Sequence, residues 1–342
     1  MLSNTRKKNK PKIKLTRRRR IIGRGTKRAP KIPFYQKNGR IKKILPQNKT
    51  KEFADLNCSP TRNYGVNNDH HTCYKSDELI RLKNSWNARY PKDAINASDP
   101  TIIWNELKKK TADNCNNEMC WLNQRFVTDI SISGLAETAF APKSPVSWRR
   151  NHNQWLDSED IIKIMNQYED AYPNFKFIGP TSIDFDTVLE NNKCVWEKLC
   201  LFNIKKCFLG GINKIGVIFN TDTHDKGGSH WISLFMDLEN AQDLYIYFFN
   251  STGDSCPKEI TKFVSRVISQ YDQYKKPGAS KLNFYSNDGF VHQHGNTECG
   301  MYSLYFISSL LSKKHNYSYF NTQRISDKEM ENLRDKYYNN II

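Results

Sequence analysis

From Asp77 onward apolar residues return at helical intervals. Leu79, Leu82, Trp86 and Tyr90 recur three or four positions apart, which lines one face of a helix that Pro91 ends. A second helix is expected from Asp99-Pro100, with Ile102, Ile103 and Leu107 turned to one side. A third, short one gathers Met119, Trp121, Leu122 and Phe126. These segments read as a small helical domain within residues 52–145. Trp86, Trp104 and Trp121 are expected in its core rather than on a binding stripe. Gly134, Pro142 and Pro145 mark residues 129–148 as a linker.

The pattern changes from residue 146. Asp157 or Ser158 can cap a helix that carries Ile161, Ile162, Met165 and Tyr168. Short strands are predicted at Phe175–Ile178, Ile215–Phe219, His230–Met236, Leu244–Phe249 and Leu282–Tyr285. Pro257 suits the first turn of a helix bearing Ile260, Phe263, Val264, Val267, Ile268 and Tyr271. Another helix starts near Cys299 with Leu304, Ile307, Leu310 and Leu311. Ser326 and Glu329 have the spacing of a capping box that opens a last one. Strands and helices mix without a βαβ rhythm, so the fold class is α+β.

Charge divides the chain. Of 53 Lys and Arg, 20 fall in residues 1–51, where no Asp or Glu occurs; the remaining 33 meet 35 acidic residues and leave a body at −2. Such an arm repels itself and reads as a flexible, basic, disordered segment. It can bind DNA or RNA nonspecifically by releasing counterions, or serve as a solubility or import tail. The N-terminus has no apolar stretch after its basic residues, so no secretory signal is expected. No run of about 18 apolar residues predicts a membrane span. The nine cysteines are an odd number in a long chain, which predicts reduced thiols.

Two segments carry candidate chemistry. If the hairpin is symmetric about Asn240, His230 lies opposite Asn250, with Cβ atoms about 4.5–5.5 Å apart. The amide oxygen can then accept from one ring N–H and leave the other nitrogen as a base. Farther on, a glycine-bearing loop delivers Cys299 to the start of an apolar helix, where free N–H groups and the helix dipole favour a thiolate. Gly300 would let a substrate backbone approach. Gln293, six residues before Cys299, can fold its N–H groups back towards an oxyanion.

Ser229-His230-Trp231, Tyr247-Phe248-Phe249-Asn250-Ser251-Thr252-Gly253, Gln293 with Cys299-Gly300, and Trp155-Leu156-Asp157-Ser158-Glu159-Asp160-Ile161 occur in this chain. They resemble the ubiquitin-like-protein protease and adenovirus protease clan of cysteine peptidases. The likeness is greatest to the polyprotein-processing proteases of large cytoplasmic DNA viruses, of the African swine fever virus type. The resemblance implies a papain-like, adenovirus-protease-like catalytic domain over residues 146–342, with a mixed sheet and flanking helices. It implies Cys299 as nucleophile, His230 as general base and then acid, Asn250 as orienter and Gln293 as oxyanion donor, with no cofactor. Many members of the clan carry Asp or Glu where Asn250 stands, so Asp237 and Asp254 are alternative third members. Asp237, seven residues along its strand, is the more distant from His230. The implied substrates are viral polyproteins or core proteins cleaved during virion maturation, in the virion and the viral factory of the host cytoplasm. Two other functions fit the same residues: an isopeptidase acting on ubiquitin-like modifiers, and an inactive protease fold that binds nucleic acid.

Blander readings attach to other residues. Cys299 alone could be a core thiol. His224, His292 and His294 are expected in loops. His70, His71, Cys73, Cys115 and Cys120 have no standard zinc spacing, so no metal site is assigned. Gly210-Gly211 reads as a turn before it reads as a self-cleavage point.

Overall fold

Strands whose residues are apolar at nearly every position need cover on both faces. Among the described residues there are five strands, β1 (Phe175–Ser182), β2 (Lys214–Asn220), β3 (Trp231–Asp237), β4 (Leu244–Phe249) and β5 (Leu282–Ser286), of which the central three, β2, β3 and β4, are of that kind. They form one sheet in the order β1-β2-β3-β4-β5. The inner pairs β2–β3 and β3–β4 are antiparallel, and the outer pairs β1–β2 and β4–β5 are parallel. The computed structural model describes residues 53–63 and 72–340. The predicted basic arm, and His70 and His71, lie outside the described residues.

Helices of ten or more residues are labelled α1 (Ser76–Arg89), α2 (Pro100–Lys110), α3 (Ser158–Ala171), α4 (Lys258–Tyr274), α5 (Cys299–Leu311) and α6 (Asp327–Tyr337). One face of the sheet presents Phe235, Tyr245, Tyr247 and Phe249 to a core shared with α3, α5 and α6. The other presents Ile232, Leu234, Met236, Ile246 and Phe248 to α4. Every residue of α5 is buried. Asp157 caps α3 and Ser326 caps α6, each in a reciprocal box with the residue three further on.

The hairpin register departs from the symmetric one. Ser233 pairs with Phe249 and Asp237 with Tyr245, a slip of two residues. Side chains alternate with period two, so this slip keeps every residue on its expected face.

Residues before α3 have a core of their own, built by Leu79, Leu82, Trp86, Ile103, Trp104 and Trp121 among others. Two expectations are corrected here. Ile102 is 53% exposed, because the buried face of α2 runs through Ile103, Trp104 and Leu107. Part of the supposed linker coils into the short helices Ile130–Ser133 and Leu135–Thr138, and Ile132, Leu135, Ala139 and Phe140 join this core. The expectation of reduced thiols also fails. Cys58 with Cys73, Cys115 with Cys120, and Cys194 with Cys200 form disulfides, leaving Cys207, Cys256 and Cys299 free. Gly210-Gly211 is a turn. It ends the helix Ile204–Leu209, with Gly211 at φ +75° and the Ile212 N–H returning to Cys207 O.

The helical region is stitched to the rest beside α6. The Asn339 side chain accepts from the Asn57 N–H at 2.7 Å and donates to Asn57 O and Ala141 O at 2.9 and 3.0 Å. Asn339→Ala orphans these buried groups and should lower the unfolding free energy by about 2–3 kcal/mol. Ile102→Ala, at an exposed site, should stay within about 0.5 kcal/mol of the parent. Urea unfolding of both variants checks the pair. Equal midpoints would mean that the stitch carries no stability.

Candidate active site

The rigid burial of α5 fixes where its first residue sits. Cys299 is 2% exposed. Burial pushes its thiol pKa up and the Glu298 carboxylate pushes it further, while the N–H groups of Trp231, Gly300 and Cys299 itself pull it back. The Trp231 N–H that reaches the sulfur belongs to the first residue of β3, directly after His230. The chain therefore brings His230 and Cys299 together across two elements far apart in sequence.

His230 and Asn250 lie one residue outside β3 and β4, at the same end of the hairpin. His230 Nε2 and Asn250 Oδ1 are 2.8 Å apart, so the ring donates there and its Nδ1 is left as the acceptor. Asn250 Oδ1 also accepts from the Thr252 N–H at 3.1 Å and lies 2.8 Å from Thr252 Oγ1. Asp254 stands one step behind: its Oδ2 is 2.6 Å from Thr252 Oγ1, and its main-chain oxygen accepts from Asn250 Nδ2 at 3.5 Å. Asp237 is at the opposite end of β3. Of the three candidates for third member, Asn250 is the one that meets the imidazole.

Asn250 is clamped in turn. Asn287, 1% exposed, accepts from the Asn250 N–H at 2.9 Å and donates to Asn250 O at 2.7 Å. Nothing in the sequence Ser286-Asn287-Asp288-Gly289 beyond a turn signal marks this role. Gly253 follows at φ +75°, where a Cβ would come within 3.0 Å of the Phe290 backbone. Gln293 is buried, accepting from Ser251 Oγ at 2.7 Å and giving one Nε2–H to Gly295 O at 3.0 Å. Its carboxamide is thereby held in one orientation, with its second N–H outside these bonds.

The histidines of the same loop separate. His292 is fully buried, donating from Nε2 to Phe320 O at 2.9 Å and accepting from the Ile325 N–H at 3.2 Å. Burial pushes its pKa down, so this loop residue is a neutral structural group. His294 gives its backbone N–H to Asp327. His224 pairs with Asp184 at 2.6 Å, and that carboxylate raises the imidazole pKa.

Leu156 explains two other motif residues. Trp231 Nε1 donates to Leu156 O at 2.9 Å. A Cβ on residue 300 would lie 3.0 Å from Leu156 Cβ. Gly300 is small because Leu156 packs on it, which corrects the expectation that substrate occupies that space. Beside Trp231 opens a cleft of about 530 Å³, lined by Trp155, Leu156, Asp157, Trp196, Asp222 and Gly228 among others. Cys73, Cys115 and Cys120, whose spacing matches no standard zinc site, are each in a disulfide.

The arrangement can bring a thiol, an oriented imidazole and a carboxamide to bear on one carbonyl group. Comparison with known proteins agrees with this chemistry. The family model for the Ulp1 protease family, C-terminal catalytic domain, matches residues 204–342, a stretch that contains His230, Asn250, Gln293 and Cys299. The chain is 28% identical over 302 residues to a thiol protease of Acanthamoeba polyphaga mimivirus, covering 83% of this chain and 93% of the relative. It is 27% identical over 241 residues to the SUMO-1 cysteine protease of African swine fever virus, covering 67% of this chain and 84% of that protein. The crystal structure of the African swine fever virus protease superposes with a TM-score of 0.60 at 22% identity, over 84% of this chain and 97% of that one. The chain is a cysteine protease, and its residues 204–342 are similar to the C-terminal catalytic domain of the Ulp1 protease family.

Proposed function

We propose that this protein is a viral endopeptidase that cleaves structural polyproteins or core proteins during virion maturation. Its place of action in this reading is the virion and the viral factory of the host cytoplasm. The observation that carries the catalytic assignment is the 2.8 Å contact of His230 Nε2 with Asn250 Oδ1, at the hairpin end whose next backbone N–H meets the Cys299 sulfur. His230 Nδ1 takes the thiol proton as sulfur attacks the scissile carbonyl. The oxyanion accepts from the Cys299 N–H and the second Nε2–H of Gln293. His230 then returns the proton to the leaving amine, and water hydrolyses the acyl-enzyme. The cleft beside Trp231 is the proposed seat of the substrate peptide.

Asn250 carries no charge, so it orients the imidazole without stabilising imidazolium. Burial of Cys299 favours its protonated thiol, so proton transfer to His230 accompanies attack instead of preceding it.

Cys299→Ala and His230→Ala should each lower peptide turnover on the order of 10⁴-fold or more, with the circular dichroism spectrum unchanged. Asn250→Ala should lose less, because nucleophile and base both remain. Normal turnover in a purified Cys299 or His230 variant would remove the assignment.

The pH dependence follows from the sign of the thiol shift. A pKa raised by burial leaves the thiol protonated near neutrality, so alkylation of Cys299 by iodoacetamide should climb through the alkaline range. Asn250→Asp adds a negative charge beside His230 and should move that rise to lower pH. A rate already level from about pH 6 upward in the parent protein would mean a preformed ion pair.

A second substrate reading has one observation behind it. The African swine fever virus relative is named a SUMO-1 cysteine protease. Release of a ubiquitin-like modifier from a conjugate, without cleavage of polyprotein junction peptides, would favour that reading.

The 20 positive charges of residues 1–51 are proposed to hold the enzyme near packaged nucleic acid. Deleting them should leave peptide turnover intact, weaken binding to a labelled duplex and flatten its salt dependence. Equal affinity and salt slope in both forms would exclude the arm as the contact.

A further inference from the structure

Helix α6 carries one arginine that no catalytic step uses. Arg334 is fully buried, and its guanidinium is spread over four partners. Nε donates to Glu298 Oε2 at 2.7 Å, Nη1 to Gln154 O at 2.8 Å and Nη2 to Thr297 O at 3.3 Å. The Trp148 ring centre lies 4.7 Å from the guanidinium carbon. Thr297 and Glu298 are the two residues that lead into Cys299. Gln154 leads into Trp155-Leu156, and Leu156 abuts Gly300. One cation therefore grips the chain before the nucleophile and the segment that packs immediately after it.

Stability alone is a weak reason for such a group. A buried ion pair is often replaced by apolar side chains at no loss, because desolvation offsets much of its attraction. What the guanidinium supplies that an apolar residue cannot is direction. Its planar fork fixes several acceptors relative to one another. We infer that Arg334 is a positioning residue for the protease reaction, holding Thr297-Glu298 and Gln154 so that Cys299 keeps its place at the α5 terminus beside His230. This rests on the assignment of Cys299 as nucleophile.

A second effect follows from charge. Glu298 is 3% exposed and stands next to the thiol, where its carboxylate favours the protonated form. Arg334 is its counterion at 2.7 Å. The other charged or titratable groups on the elements packed here are His230 before β3, Asp157 and Asp160 at the start of α3 with Lys163 at 3.8 Å from Asp160, Tyr302 on α5 with its hydroxyl on Asp327 at the start of α6, and Tyr338 after α6. Asp160, Arg334 and Asp157 together act on Tyr338, with the two carboxylates opposing the cation. Without Arg334, the Glu298 carboxylate would stand beside the nucleophile without its counterion.

Three variants of the full chain separate position from charge: Arg334→Met, Arg334→Lys, and the neutral double variant Glu298→Gln with Arg334→Met. The readouts are kcat and KM on a junction peptide, the pH profile of Cys299 alkylation, and the thermal midpoint. Turnover is read below each midpoint. Arg334→Met should lose at least tenfold in kcat with KM within twofold, and its alkylation profile should move to higher pH. The double variant should recover the parent alkylation profile but not kcat, because the tethers to Gln154 and Thr297 remain missing. Arg334→Lys should likewise keep the profile and lose kcat. If Arg334→Met does not fold, the double and lysine variants decide on the same readouts. Parent-level kcat in either of them overturns the inference, as does a lowered midpoint with unchanged kcat and profile in all three. Turnover retained by Cys299→Ala would instead remove the nucleophile assignment itself, so the two failures are distinct.

Discussion

Helix α5 is buried around its whole circumference, and a helix apolar on every side can exist only inside a shell. The sheet supplies one wall of that shell, and α3 and α6 supply others. Its residues Met301, Leu304, Phe306 and Ile307 are fully buried, so a shift along its axis would move many close-packed side chains at once. The reacting sulfur is the first residue of this immobilised rod. Its precision comes from packing far from the chemistry, while the loop before it needs only to close the last turn. That closure is where polar groups enter: Asp327 holds the backbone of His294 and Gly295, and Arg334 holds that of Thr297.

A hydroxyl-and-amide lattice does comparable work on the other side of the sulfur. Asn250 is fixed through its backbone by Asn287 and through its side chain by Thr252. The negative charge of Asp254 reaches the imidazole only through that neutral layer. The arrangement trades electrostatic stabilisation of imidazolium for a tightly specified ring orientation. It also explains why the Asp254 carboxylate is not the group in contact with the base.

Much of this is legible in the sequence. The long helices, a cap at Asp157 or Ser158, the capping box at Ser326 and all five strands follow from periodicity and capping chemistry, which are local. The meeting of His230 with Asn250 is legible for a subtler reason. The symmetric hairpin is wrong by two residues, yet an even slip preserves the face and shifts the partner only diagonally. What escapes is non-local. Asn287, Ser251 and Arg334 are ordinary polar residues whose roles exist only once distant segments converge. The disulfides escape because cysteine count speaks to environment and not to which sulfurs the fold brings together. Ile102 misleads because the buried stripe of α2 runs through Ile103, Trp104 and Leu107 and leaves the position before Ile103 on the solvent side.

The stitch between Asn57 and Asn339 spans 282 positions of sequence. Synthesis from the N-terminus delivers one side of that contact long before the other. The core around Trp86, Trp104 and Trp121 closes among residues near in sequence and can form early. Its attachment beside α6 must wait, and so must the grip of Arg334 on the turn before Cys299, 35 positions upstream of it. Loop-closure entropy makes such late, long-range contacts the slowest to gain. A nascent chain therefore carries its nucleophile, imidazole and carboxamide for some time before the turn that aligns them is locked.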